Sequence, residues 1–155
     1  INALSQLKLP NYSYIICGKG PEEKKLKKLT NKLGIVNQVH FLGFRTDINE
    51  IIKISDCFVF PSKREGLGIA ALEAMAAGLP IITSNVNGIL DYSENGKTGF
   101  SCNPNSIGEF ATAIKKIYYD KNLRDEMSLY NLEKVKNFDF VKVSSIMRQL
   151  YSSIN

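Results

Sequence analysis

Short runs rich in β-branched and aromatic residues alternate with amphipathic stretches along this chain, and that alternation limits the fold more than any other feature. Residues 12–17, 39–42, 57–60, 80–83 and 99–102 have the length and composition of strands. Between the first two, Pro21, Glu22 and Glu23 open a helix with Leu26, Leu29 and Leu33 on its inner face, and Gly34 stops it. Asp47 followed by Glu50 reads as a capping box ahead of Ile48, Ile51 and Ile52. A helix is expected over residues 67–77, with Gly78 behind it and Pro80 beyond, and a short helical turn over 88–93. Ser106 and Glu109 form a second capping box for a helix facing inward through Ile107, Phe110, Ile114 and Ile117. Residues 123–136 continue as helix, and Asp139 caps a last one with Phe140, Val143, Met147 and Leu150 along one stripe. Strands alternating with helices predict a Rossmann-like α/β domain over residues 1–155, a parallel sheet with helices on both faces. Such sheets bind ligands beyond the carboxyl ends of their strands. The informative turns are therefore 18–21, 43–46, 61–68 and 84–88.

At 155 residues, with 44% hydrophobic and 23% charged residues, the chain can bury a core without a disulfide or metal staple. Cys17, Cys57 and Cys102 are far apart and not in CxxC spacing, so no metal site is expected and all three read as small core residues in a reducing, cytoplasmic setting. The net charge of +5 comes largely from Lys24, Lys25, Lys27, Lys28 and Lys32 on the outside of the first long helix. A solvated basic face accounts for it. A peripheral contact with an anionic inner membrane surface is a further expectation, whereas nothing in the pattern points to nucleic acid. No signal peptide or membrane span is legible. The chain starts at Ile1 inside an amphipathic segment, as a fragment would.

The sharpest stretch runs from Pro61 through Ser62, Lys63, Arg64, Glu65, Gly66, Leu67 and Gly68 into a helix whose one charge is Glu73. A helix apolar nearly all round is expected to be buried, and a buried carboxylate needs a partner. That partner is either a basic side chain of the protein or a pair of ligand hydroxyls. Gly66 and Gly68 let backbone approach a ligand closely, and the free amides of a helix start attract an anion. Eight residues at helical rise place the two glutamates roughly 12 Å apart, one near each end of a diphosphate-sized gap.

Other residues carry less. Gly18 and Gly20 could begin a dinucleotide fingerprint, but the third glycine is missing and no acid stands near Gln38 to hold a ribose. His40 reads as a packed or edge residue and Asp56 as structural. Lys63 and Arg64 could touch phosphate or simply line a solvated loop. Glu65 and Glu73 could imitate the acid and base of a hydrolase, but an apolar helix is a poor place for an activated water.

The stretch from Pro61 to Pro80 resembles the signature of family-4 glycosyltransferases, a retaining family of GT-B fold. It has the Pro-Ser turn, Glu65, Gly66-Leu67-Gly68, the second glutamate at Glu73, and Ala74-Met75-Ala76-Ala77-Gly78-Leu79-Pro80. The flanks agree: Gly18-Lys19-Gly20-Pro21, Phe41-Leu42-Gly43, Ser55-Asp56, and Asn95-Gly96 with Gly99. Departures fall in one turn, with Asn87 where Gly is frequent, Leu90 where Pro is usual and Asp91 for Glu. The resemblance implies the C-terminal, donor-binding half of the enzyme, transferring a hexose from a UDP- or GDP-sugar to a glycan or lipid-linked acceptor with retention, as in cell-surface polysaccharide synthesis. It implies that Glu65 holds donor-sugar hydroxyls and orients the reaction, that the amides near Gly66, Leu67 and Gly68 contact sugar and diphosphate, and that Glu73 binds the ribose diol. The Phe44-Arg45 turn would lie against the base, with Gly18, Gly20 and Lys63 completing the donor site. No metal or cofactor is implied. An acceptor-binding domain and the phosphate-binding Arg and Lys would precede Ile1. A non-catalytic nucleotide-sugar-binding module and a nucleotide-sugar epimerase of the same fold are the alternatives, and a receiver-like signalling domain would need an acidic cluster at strand ends.

Overall fold

The computed structural model describes residues 1–139 and residue 149, so the expected last helix with Phe140, Val143, Met147 and Leu150 lies outside the described residues. In chain order the elements are α1 (Asn2–Gln6), β1 (Tyr14–Cys17), α2 (Glu23–Lys32), β2 (Val39–Gly43), α3 (Ile48–Lys53), β3 (Phe58–Phe60), α4 (Ile69–Ala76), β4 (Ile81–Ser84), β5 (Gly99–Cys102), α5 (Ile107–Tyr119) and α6 (Lys121–Lys134). Turns of 3-10 helix cover Asn87–Asp91, where a helical turn is expected, and Val135–Phe138, where α6 tightens at its end.

All pairing is parallel, as strand-helix alternation demands. Hydrogen bonding divides the strands into β1-β2 and β3-β4-β5. Tyr14 of β1 and Val59 of β3 line one cleft of about 170 Å³, which places the two groups of strands side by side. β4 is the central strand of its group and is buried along its whole length. Its successive residues face opposite ways. Ile81 packs with Ala71, Ala74 and Met75 of α4, while Ile82 packs with Phe110 and Ile117 of α5 and Met127 of α6. Helices therefore cover both faces of this sheet.

α6 is fastened by polar groups as well. The buried Asn131 donates from Nδ2 to the carbonyls of Leu79 (2.7 Å) and Thr98 (2.9 Å), each beside the start of a strand. Glu94 receives Tyr130 (2.9 Å) and Lys134 from α6, and Lys97 (3.1 Å) from its own turn.

Local expectations fail where a nearby side chain competes. Asp47 does not cap α3, because Arg45 donates to both of its carboxylate oxygens, at 2.7 Å from Nε and more tightly from a terminal nitrogen. Glu50 turns outward to Lys53 instead. The second box is half made: Ser106 Oγ accepts from the Glu109 amide at 3.3 Å, but the Glu109 carboxylate reaches past it to the Asn103 amide at 2.7 Å. Of the cysteines, only Cys102 is fully buried. Cys17 and Cys57 are half-buried, and burial pushes the thiols of Cys57 and Cys102 up to about 11.

Candidate donor-binding site

The carboxyl ends of the strands carry the candidate residues in two groups. In the first, the turns after β1 and β2 are stitched together. Gly18 has left the strand conformation (φ 116°), and its amide donates to the Gly43 carbonyl at 2.7 Å. Gly20 offers its carbonyl to Glu23 at the start of α2 (3.2 Å), and the Lys19 side chain passes about 4 Å from where a Gly43 side chain would begin. Phe44 projects from this corner with 71% of its surface exposed. The neighbouring Arg45 guanidinium is held by Asp47 and stands near enough to Cys17 to favour its thiolate against the upward push of burial. Sequence spacing alone assigned Asp47 to a helix cap, so this clamp on Arg45 was not foreseen.

The second group is the turn after β3. Helix α4 begins at Ile69, two residues later than expected, because Gly68 caps it in the left-handed region (φ 75°). Any side chain there would meet the Tyr92 hydroxyl at 2.7 Å and the Phe60 ring at 2.9 Å. Glu65 lies outside the helix, so its distance from Glu73 is not a simple helical rise. Its Oε1 accepts from the Gly66 amide at 3.1 Å. The amides of Leu67, Gly68, Ile69 and Ala70 have no hydrogen-bond acceptor among the described residues, and they lie at the positive end of α4. That arrangement suits an anion. Lys63 and Arg64 stand exposed in the same turn without an ion pair among the described residues.

Glu73 corrects one expectation. Helix α4 is not buried all round. Ala71, Ala74 and Met75 face the core, whereas Ile69, Ala70, Glu73, Ala76 and Ala77 lie on an exposed face. The physical reason is that β4, the Asn87–Asp91 turn, α6 and the Val135–Phe138 segment together leave one side of the helix uncovered. The Glu73 carboxylate therefore faces solvent and makes no ion pair or hydrogen bond among the described residues.

The turn after β4 closes against this second group. Gly88 packs on the backbone of Gly66, and Asn87 adopts a positive φ of 41°, a conformation that asparagine tolerates better than most residues. Sequence reasoning missed Tyr92. It is fully buried, and its hydroxyl donates to the Gly68 carbonyl at 3.4 Å. Burial, and then the charge of Glu65, push the phenol up to about 12. The available signal was a phenol in an apolar turn, which needs an acceptor somewhere.

A parallel α/β domain with glycine turns at its strand ends and free amides at a helix start has the general architecture in which nucleotides are commonly held. More particularly, residues 1–134 match the family model described as glycosyl transferases group 1, and the chain belongs to that family. It is 34% identical over 144 residues to the Escherichia coli UDP-Gal:alpha-D-GlcNAc-diphosphoundecaprenol alpha-1,3-galactosyltransferase, covering 92% of this chain and 37% of that protein. It is 31% identical over 151 residues to the putative glycosyltransferase EpsD of Bacillus subtilis, covering 97% of this chain and 40% of that one. The crystal structure of Anabaena HepE with UDP superposes with a TM-score of 0.91 at 28% identity, over 98% of this chain and 43% of HepE. The GT-B-type α/β fold expected from the sequence is thus the observed one. The chain spans well under half the length of the relatives it matches.

Proposed function

We propose that this chain is the donor-binding half of a retaining glycosyltransferase that moves a hexose from a nucleotide-diphosphate sugar to a glycan or lipid-linked acceptor. The observation that carries the reading is the turn from Glu65 to Gly68. It leads into the amides of residues 67–70, which have no acceptor among the described residues, and about one turn into α4 stands the carboxylate of Glu73, with no partner among them. The diphosphate would sit on the amides of residues 67–70. Glu73 would accept from the two ribose hydroxyls, and the exposed Phe44 with the backbone of Arg45 would flank the base. UDP in the bound structure of HepE supports a uridine donor, with guanosine the other candidate.

Retention without a covalent intermediate requires attack on the face the leaving group departs from. The bond between the anomeric carbon and the diphosphate oxygen breaks, the acceptor oxygen bonds to the same face of that carbon, and its proton passes to the departing diphosphate. The amides at the start of α4 stabilise charge growing on the diphosphate, and Glu65 orients the sugar beside them.

An apolar rim supports an acceptor-binding domain within the same protein. Phe44, Leu67, Ile69 and Leu90 are all exposed on elements that follow the carboxyl ends of β2, β3 and β4. A peripheral membrane contact, through the lysines of α2, belongs to the same proposal. No helix among the described residues is long and apolar enough to cross a membrane.

The test is calorimetry of the full-length protein with UDP, GDP and their glucose and galactose conjugates, followed by NMR of the product's anomeric centre. Binding of a diphosphate nucleotide and a product of unchanged anomeric configuration are expected. A product of inverted configuration would remove the front-face mechanism, and failure to bind either nucleotide would remove the donor site.

A further inference from the structure

Tyr92 belongs to none of the roles above, yet it touches the turn on which they depend. It sits at the end of the Asn87–Asp91 turn with no exposed surface. Its ring is wedged in the core with Ile52, Ala71, Met75 and Ile89, and Phe138 meets it edge-on, the centroids 5.9 Å apart at 81°. Aliphatic side chains could fill that volume. What they could not supply is the hydroxyl, which donates to the Gly68 carbonyl. The same oxygen lies 2.7 Å from where a Gly68 side chain would begin, and the Glu65 stem lies 3.3 Å from that point. The Gly68 carbonyl also accepts from the amides of Ala71 (2.9 Å) and Leu72 (3.4 Å), so it is the hinge on which the first turn of α4 is hung.

We propose that Tyr92 is a positioning residue for the diphosphate: its hydroxyl holds the Gly68 peptide, which the Glu65 stem flanks, and so aims the amides of residues 67–70 at the donor. This rests on the donor-site reading above. A buried phenol favours a hydrogen-bond acceptor, and for Tyr92 that acceptor is the carbonyl from which the first turn of α4 is hung. The phenol stays neutral across the working pH range, since its pKa is raised to about 12, and so it remains a donor there. On its other side the ring meets Phe138, a contact made within the core and away from the donor turn.

Tyr92→Phe keeps the ring and removes only the hydroxyl. In the full-length protein, calorimetry would compare UDP with uridine, and GDP with guanosine. Loss of one hydrogen bond to the turn is expected to weaken the diphosphate by about fivefold to tenfold while the nucleoside changes less than about twofold. The melting temperature should fall by only a few degrees. Phe138→Leu is the companion variant. It should lower the melting temperature while leaving the ratio of diphosphate to nucleoside affinity at its wild-type value. Three results overturn the proposal: an unchanged UDP affinity in Tyr92→Phe, an equal loss for UDP and uridine, or a Phe138→Leu that shifts the ratio as Tyr92→Phe does. A Tyr92→Phe chain that no longer folds overturns it too, because the hydroxyl would then serve the core. Wild-type protein that binds neither nucleotide fails the donor reading itself, which is a different result from a wild type that binds and a variant that binds equally.

Discussion

Gly88 lies so close to the Gly66 carbonyl that a methyl group on it would fall 1.7 Å from the oxygen. The turns after β3 and β4, some twenty residues apart in sequence, are therefore one wall. The Glu65 turn cannot take its shape unless the Asn87–Asp91 turn is in place behind it. Two of the glycines here, Gly68 and Gly88, have no room for a side chain, because a buried ring and hydroxyl fill the space at Gly68 and backbone fills it at Gly88.

Gly88→Ala should therefore act at a distance on the donor site. Its clash is with backbone, which cannot swing aside as a flexible side chain could. We expect a loss of about 1–3 kcal/mol in denaturant unfolding, together with weaker binding of UDP or GDP. Wild-type stability and affinity in this variant would show that the two turns are not in contact.

Glu65→Ala and Glu73→Ala should separate in kinetics of the full-length enzyme. On the proposed reading, Glu73→Ala loses an acceptor for two hydroxyls and should raise the donor KM roughly tenfold or more, with little change in kcat. On the same reading Glu65 orients the reacting sugar, so Glu65→Ala should lower kcat by about 10²-fold. Initial rates against donor concentration read both. Unchanged kinetics in the two variants would end the assignment of these residues.

Glu94 sets an acid limit on stability. Hydrogen bonds from Lys134, then Lys97, then Tyr130 hold its carboxyl down at about 2, against 4.5 for an ordinary glutamate. A group with a depressed folded-state pKa stabilises the fold above its unfolded value and loses that contribution as it protonates. The contribution of Glu94 is thus complete above about 4.5 and disappears as pH falls toward about 2. Glu94→Gln should flatten the pH dependence of the melting temperature within this window. A variant whose profile overlays the wild type would assign the acid limit elsewhere.

Asn131→Ala should cost about 2–4 kcal/mol, because the buried carbonyls of Leu79 and Thr98 lose their shared donor at once. Urea unfolding with an unchanged m-value is the expected form of the loss. An effect under half a kcal/mol would mean that water or another donor replaces the amide.

Much of this was legible in the residues themselves. The alternation of strand and helix, the glycine at the head of α4, the Ser106 cap and the order of the glycine turns are local matters, decided within a few residues by backbone sterics and hydrogen bonding. The signature from Pro61 to Pro80 led to the family because its prolines, glycines and two glutamates are contiguous along one stretch of chain and can be read without knowing what packs on them.

What remained hidden were choices between partners. Asp47 is a good helix cap until Arg45 folds back on it, and Glu109 closes a capping box until the Asn103 amide comes within reach. Composition makes α4 look buried on every side, but burial is decided by which neighbours cover a face, and those that pack on α4 leave one face open, with the Glu73 carboxylate in solvent. Tyr92 found its acceptor twenty-four residues back along the chain. Sequence alone determined the elements, the turns and the kinship, because those depend on interactions between residues close along the chain. Only the three-dimensional structure decided which polar group satisfies which, because several partners are within reach and geometry selects one, inside a turn for Asp47 and Glu109 and between packed elements for Tyr92.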